Sequence, residues 1–270
     1  MQLANLQRHL VLSLLCGLVF YPFVALLVLS GKSNPQFDHY PWIVTIPFYW
    51  GNYVTAFVAI KQYIFNTVFV TLLSCTGVLC LSGLTAYIIA RHRFPGRELL
   101  YYLVISLLMV PSGLTLVASF MLVKSLGLLN TRLALILPYI AGGQVFGIFL
   151  LRSFYASLPE ELFEAARLDG ASDLKCFALI GLPLSKAILG TLAIINALGN
   201  WNDLIWPLVT VTDERLKTIT VGLAMFRGIY YTNWGPLFAG YVVASIPLIL
   251  LFAFTSRYFV QGFMSGSLKL

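Results

Sequence analysis

The chain has 270 residues, of which 59% are hydrophobic and only 10% charged, and its mean hydropathy is +0.88. Soluble domains carry about 25% charged residues, so the composition excludes an ordinary soluble domain and points to a membrane chain. The net charge of +7 does not mark a nucleic-acid binder, because no basic run has the density or aromatic interleaving of such a surface; membrane topology accounts for the bias better.

A helix crossing the ~30 Å hydrocarbon layer needs about 20 mostly apolar residues. Runs of that kind fall at about 10–30, 64–90, 99–120, 133–151, 187–208 and 237–256. They predict an all-α, polytopic membrane protein with six transmembrane helices in a single membrane domain. The first apolar run, 11–30, exceeds the roughly 7–15 residues of a signal-peptide core and reads as an uncleaved span. The connections 31–63 and 209–236 are rich in aromatics: Trp42, Tyr49, Trp50 and Tyr53 in one, Tyr230, Tyr231 and Trp234 in the other. Such residues favour the headgroup interface. Pro22, Pro111, Pro138, Gly142, Gly143, Gly147 and Pro247 fall inside spans, where neighbouring helices re-satisfy the backbone and small residues permit close packing. Cys16, Cys75 and Cys80 lie in apolar runs and Cys176 beside an acidic stretch, with no metal or disulfide spacing.

Orientation follows from Lys and Arg in the connections. With the N-terminus inside, ten of the 17 basic residues lie on the inner side and seven on the outer. The cluster "RHRFPGR" (91–97) decides the matter, since three arginines beside a span end resist translocation. Both termini, the connection 152–186 and the tail 257–270 are then cytoplasmic.

Five of the ten acids fall within 158–185: Glu160, Glu161, Glu164, Asp169 and Asp173. Ser157 with Glu160 fits a capping box, with Pro159 in the first turn. Leu158, Leu162, Ala165 and Ala166 form an apolar stripe at helical spacing, and Gly170 suits a left-handed helix end. Ser172 and Asp173 can cap a second helix presenting Leu174, Phe177, Ala178 and Ile180, which Gly181 and Pro183 would stop. The residues alone leave two readings open, a docking element or a solvated loop with ordinary caps.

The stretch "EAARLDGASDLKCFALIGLPLS" (164–185) resembles the EAA signature of permease subunits in bacterial ABC importers, in detail the carbohydrate branch typified by the maltose transporter. "ARHRFPGR" (90–97), "GLLNT" (127–131), "WNDLIWPL" (201–208), "TNWGPL" (232–237) and "VQGFMSGSLK" (260–269) resemble that branch in the same order. The resemblance implies a bacterial inner-membrane permease subunit, paired with a second permease subunit in a hetero-pair. It also implies a cytoplasmic ATPase dimer, which holds ATP and Mg, and an extracytoplasmic solute-binding protein. Glu164, Ala165, Ala166 and Gly170 match the motif itself. Glu160, Glu161, Asp169, Leu182 and Pro183 complete the expected coupling set, and Ser265, Gly266, Ser267, Leu268 and Lys269 resemble a tail reaching the ATPase. Ala187 departs from the pattern, where many relatives have proline.

No energy source is visible in the chain. "GKS" (31–33) lacks the first glycine of a phosphate loop, since position 26 is Leu. Asp203 is the one acid in or near a helix core, thin support for a secondary carrier. His9, His39 and His92 lie outside the spans and no GxSxG or HExxH occurs, so a membrane enzyme is disfavoured. A channel half would need the spans but no docking helix. Ser112, Asn196, Asn200, Trp201 and Asn202 are candidates for a sugar pathway, each with helix packing or interfacial anchoring as the plainer account. A glycerol-phosphate solute is the alternative, with Lys124 or Arg227 as its partner.

Overall fold

The computed structural model describes the backbone of residues 2–224 and 232–267, and all side chains among them except those of 2–6, 112 and 257–267. In chain order the helices are α1 (Gln2–Ser30), α2 (Asn34–His39), α3 (Gly51–Arg91), α4 (Arg97–Ser106), α5 (Ser112–Ser125), α6 (Leu133–Ser157) and α7 (Glu161–Leu168). They continue with α8 (Asp173–Cys176), α9 (Leu182–Leu184), α10 (Lys186–Asn202), α11 (Ile205–Thr210), α12 (Ile219–Ala224) and α13 (Trp234–Ser267), and there is no strand among the described residues. Four stretches are long and apolar enough to cross a membrane: 7–30, 51–91, 133–157 and 234–256. Two bent helix pairs raise the number to six if each pair is one span.

The bends have local causes. The run expected at 99–120 is broken, with its two parts 107° apart. Pro111 fixes its own φ and pushes the preceding residue out of the helical region. Val110 (φ −83°, ψ 115°) and Pro111 (φ −60°, ψ 131°) are accordingly both extended. Pro22, Pro138 and Pro247 by contrast lie inside continuous helices. The run expected at 187–208 ends early, because Asp203 is extended (φ −69°, ψ 121°) and α11 starts afresh. Part of the first aromatic connection is helical, since α3 begins at Gly51. Much of the expected C-terminal tail is helical too, because α13 runs on to Ser267. Ser265, Gly266 and Ser267 therefore lie on a helix backbone, while Arg227, Tyr230, Tyr231, Leu268 and Lys269 lie outside the described residues.

The chain divides into two compact units, Met1–Ile64 with Val221–Pro247, and Phe65–Thr220 with Leu248–Leu270. In the first, the turn after α1 is held by buried polar groups. Lys32 is 1% exposed and its ammonium donates to the carbonyls of Tyr40 and of Ile43, the latter at 2.6 Å. Asn52 donates to the carbonyls of Ser30 and Lys32, both at 2.9 Å. Asn34 accepts from the Trp234 amide at 3.0 Å and donates to the Thr232 carbonyl, and Phe37 stacks on the Trp234 ring at 4.7 Å. Trp42 and Trp50 remain exposed.

The second unit packs around two apolar clusters. One joins Val78, Ala86 and Tyr87 of α3 to Leu151 and Tyr155 of α6, Phe163 of α7, Cys176 and Leu192. The other joins Val70, Val123, Ala134–Ile136, Trp206 and Val211. Close packing depends on Gly143 and Gly147 of α6, where a Cβ would collide with Asn196 and Val78, and with Ser82, respectively. The "GLLNT" stretch is a backbone device. Asn130 takes a positive φ of 57°, and its side-chain oxygen accepts from the amides of Thr212 and Asp213 at 2.6 and 3.1 Å.

Candidate functional site

The acidic stretch folds as two short helices joined at Gly170, whose φ of +81° needs a residue without a Cβ penalty. The left-handed turn lets the Ala171 amide reach the Ala166 carbonyl at 2.9 Å, satisfying an orphan acceptor at the helix end. Ser172 caps α8, its hydroxyl accepting from the Lys175 amide.

The start of α7 differs from the expected capping box. The preceding helix α6 extends to Ser157, so that hydroxyl bonds back to the Phe154 carbonyl at 2.8 Å. Glu160 has helical backbone angles (φ −68°, ψ −31°) and makes no capping bond. Nor do Gly181 and Pro183 stop the second helix. Gly181 is helical, and Pro183 follows directly on the π-turn as the second residue of α9. The path widens into a π-turn at Phe177–Gly181 and then bends 75° into α10.

The buried face of α7 also differs from the expected stripe. Its anchor is Phe163, fully buried against Tyr87, with Ala166 and Leu158 packed at the margin, while Leu162 and Ala165 face outward. In the next helical stretch Cys176, Phe177 and Ile180 pack inward and Leu174 and Ala178 are exposed.

Arg91, at the end of α3, pins this element from behind. Its guanidinium lies 4.2 Å over the Phe163 ring, pairs with Glu160 at 2.6 Å and donates to the Leu158 carbonyl at 2.6 Å. Only 5% of the Arg91 side chain is exposed, so these charge-assisted bonds are of the stronger kind. Arg167 also pairs with Glu160, at 3.2 Å, and reaches Asp173 at 3.6 Å. The hydrogen bond to Glu160, with the charges of Glu160 and Asp173 adding to it, holds the Arg167 guanidinium pKa above its ordinary value against a smaller opposing effect of burial. A parallel network ties "RHRFPGRE" to α6: Glu98 accepts from Arg97 at 2.8 Å and from Arg152 at 3.0 Å, and Arg152 covers the Tyr101 ring.

The five acids thus divide by direction. Glu160 and Asp173 serve the inner pins. Glu161, Glu164 and Asp169 are exposed, and among the described residues none of the three has an ion pair within the chain. Beside them Ala165, Leu162 and Leu168 present an apolar surface, Leu168 at 90% exposure. Leu182 is half-buried and Pro183 exposed in the turn before α10.

The expected pathway residues do not converge. Asn196 donates to the Leu192 carbonyl of its own helix and abuts Gly143, Asn202 bonds back to Leu198, and Trp201 is buried. The Asn200 amide nitrogen is buried with no partner among the described residues. Ser112 begins α5, and its side chain is outside the described set. Polar groups instead gather around Asp203, whose carboxylate accepts from the Tyr139 hydroxyl at 2.9 Å and the Trp206 amide at 3.3 Å beside a cavity of about 310 Å³. Tyr139 was legible only as one more aromatic within a span. The available signal was the solitary acid in "WNDLIWPL".

Comparison with known proteins gives these features a context. The chain is 34% identical to the diacetylchitobiose uptake system permease protein NgcG of Streptomyces coelicolor (strain ATCC BAA-471 / A3(2) / M145), over 97% of this chain and 88% of that one. It is 31% identical to the trehalose/maltose transport system permease protein MalG of Thermococcus litoralis (strain ATCC 51850 / DSM 5473 / JCM 8560 / NS-C), over 95% and 94%. Its fold is similar to that of a chain in the crystal structure of a bacterial ABC transporter involved in the import of the acidic polysaccharide alginate. The TM-score is 0.84 at 21% identity, covering 96% of this chain and 97% of that one. Residues 80–265 match the model of the binding-protein-dependent transport system inner membrane components. That match takes in the acidic element, its arginine pins and the Asp203 cavity, and the protein belongs to this family of transport-system membrane components.

Proposed function

We propose that this protein is one transmembrane subunit of an ATP-driven importer for a saccharide. Both termini and residues 152–186 face the cytoplasm. A second permease subunit completes the membrane unit, a solute-binding protein delivers from outside, and a separate ATPase dimer binds ATP and Mg. The observation that carries the reading is the division of charge on the acidic element: a helix pinned from behind by Arg91 and Phe163 turns Glu161, Glu164 and Asp169, which have no ion pair among the described residues, outward beside Ala165. A rigid back with a charged face suits a lever. Small alanines admit a neighbouring backbone, and the carboxylates can pair with arginines on the motor subunit. The saccharide class is supported by the relatives, whose names give diacetylchitobiose, trehalose and maltose.

The mechanism follows from the connectivity of the element. The acidic helices run through the turn Leu182–Leu184 into α10 with only Ser185 intervening, and Ser185 is buried with its hydroxyl against that of Tyr155 at 3.1 Å. Arg91 links the same element to α3. Closure of the ATPase dimer would therefore move α10 and α3 together, shifting the population from inward-open to outward-open by as much as the docked partners prefer one state. Leu182 and Pro183 lie in the bend and transmit that push. The helical end of α13, with Ser265, Gly266 and Ser267, is a second reach toward the ATPase, continued by Leu268 and Lys269.

The test is ATP hydrolysis by the assembled complex in liposomes, stimulated by the loaded binding protein. Glu164→Arg combined with Gly170→Pro should abolish the stimulation while the chain still inserts into the membrane. Unchanged stimulation would remove the docking assignment, and solute flux through the chain without any ATPase would replace it with a channel.

A further inference from the structure

We propose that the cavity beside Asp203 is a subsite for an uncharged polyhydroxylated solute; this deepens, and rests on, the importer reading above. The cavity of about 310 Å³ is at the small end of ligand pockets, ~300–1,000 Å³. Its polar groups come from three helical elements. Thr115 and Ser119 are four residues apart on α5 and so share one face, Tyr139 comes from α6, and Asp203 lies between α10 and α11. Leu116, Pro138 and Trp206 supply the apolar wall. A sugar ring has this same division, with hydroxyls around its rim and C–H groups on its faces.

The carboxylate is built to accept more than it does. An ionised carboxylate offers about four acceptor positions. Here Oδ1 accepts from the Trp206 amide at 3.3 Å and Oδ2 from the Tyr139 hydroxyl at 2.9 Å, and Asp203 is only half-buried. Both bonds fix its direction and leave capacity for solute hydroxyls. Capping α11 does not require the charge, because Asn caps a helix about as well as Asp. Charge also selects among solutes. Among the described residues lining the cavity there is no Lys, Arg or His, so a phosphorylated solute would meet an unshielded like charge. The site therefore sides with the neutral saccharide against the glycerol phosphate.

The complete complex, reconstituted in liposomes with its binding protein, is offered radiolabelled neutral mono-, di- and trisaccharides and, separately, glycerol 3-phosphate. The wild type should accumulate a neutral saccharide. Asp203→Asn keeps the cap and removes the charge, while Ser119→Leu fills the cavity without touching the cap. Each should lower uptake about tenfold or more, which for Asp203→Asn is the scale of one lost charge-assisted hydrogen bond. ATP hydrolysis stimulated by loaded binding protein should stay within about twofold, so that solute moved per ATP falls. A merely structural defect would lower both together. If Ser119→Leu leaves solute per ATP unchanged, the subsite is wrong while the importer reading stands. Accumulation of glycerol 3-phosphate alone likewise overturns the solute class and spares ATP-driven import. If ATP drives no uptake at all, the importer reading itself fails.

Discussion

The connections 31–50 and 158–185 both carry charge outside the long helices, and Lys32 of the first and three acids of the second use it in opposite ways. In the first, Lys32 is buried and its ammonium is spent on the carbonyls of Tyr40 and Ile43. Burial lowers its pKa below the ordinary lysine value. The second is held by a buried cation, Arg91 at the end of α3, that is likewise committed within the chain, yet among the described residues three of its carboxylates stay exposed without an ion pair. A charge that the fold satisfies internally builds structure. A charge that the fold leaves unpaired on a rigid support is available to another molecule. At Lys32 the first connection is accordingly tied together by its own charge, and the second is a support with a charged outer surface.

That contrast can be broken first at the support. Phe163→Ala removes a fully buried ring from a cluster with Tyr87, Tyr155 and Cys176. Phe-to-Ala changes in packed cores cost about 3–5 kcal/mol, and Arg91 also loses the ring beneath its guanidinium. Limited proteolysis of the assembled complex should show cleavage within 158–185 accelerated by at least tenfold, with coupling lost. Unchanged protection would mean that the outer acids need no rigid back.

The next effect is expected in the first connection. Lys32→Met preserves the apolar stem and deletes the donor to two carbonyls. Hydrogen bonds to a charged group contribute about 1.5–3 kcal/mol, so the detergent-solubilised protein should melt several degrees lower. Stimulated ATP hydrolysis, measured well below that melting point, should be preserved. Loss of stimulation with unchanged melting would make Lys32 a docking residue and erase the distinction between the two connections.

Much of this was legible from sequence, though unevenly. Long apolar runs gave the span-length helices because their signal is summed over many residues. Gly170 and the Ser172 cap were local backbone chemistry and could be read locally. The failures are of another kind. Ser157 was misplaced because α6 outran its apolar run and drew the hydroxyl into its last turn. The stripe of Leu162, Ala165 and Ala166 has the right period but the wrong rotation about the helix, so it leaves out Phe163. A large aromatic three residues before Ala166 was the missed signal. The pairing of Arg91 with Glu160 spans 69 residues of sequence, and no spacing rule reaches that far. The Asp203 cavity assembles α5, α6 and α11, so only the solitary acid announced it.

The smallest structural effect should be the most informative. Glu164 is exposed on α7 and, among the described residues, forms no ion pair within the chain. Glu164→Gln retains the shape and removes the charge, so stability should change by no more than about 0.5 kcal/mol, as for surface sites with no special contact. If the outer face meets cations on the motor subunit, affinity for the ATPase dimer should nevertheless fall about three- to tenfold at physiological salt, since charge pairs formed across an interface exceed exposed intramolecular ones. Screening sharpens the test. The Debye length shrinks from ~8 Å at 0.15 M salt to ~3 Å at 1 M, so the gap between wild type and variant should narrow as salt rises. A Glu160→Gln control should behave in the reverse manner: that carboxylate holds Arg91 and Arg167, and its loss should loosen the element before it weakens docking. Two glutamates four residues apart, one spent inward and one left outward, would then separate by salt titration alone.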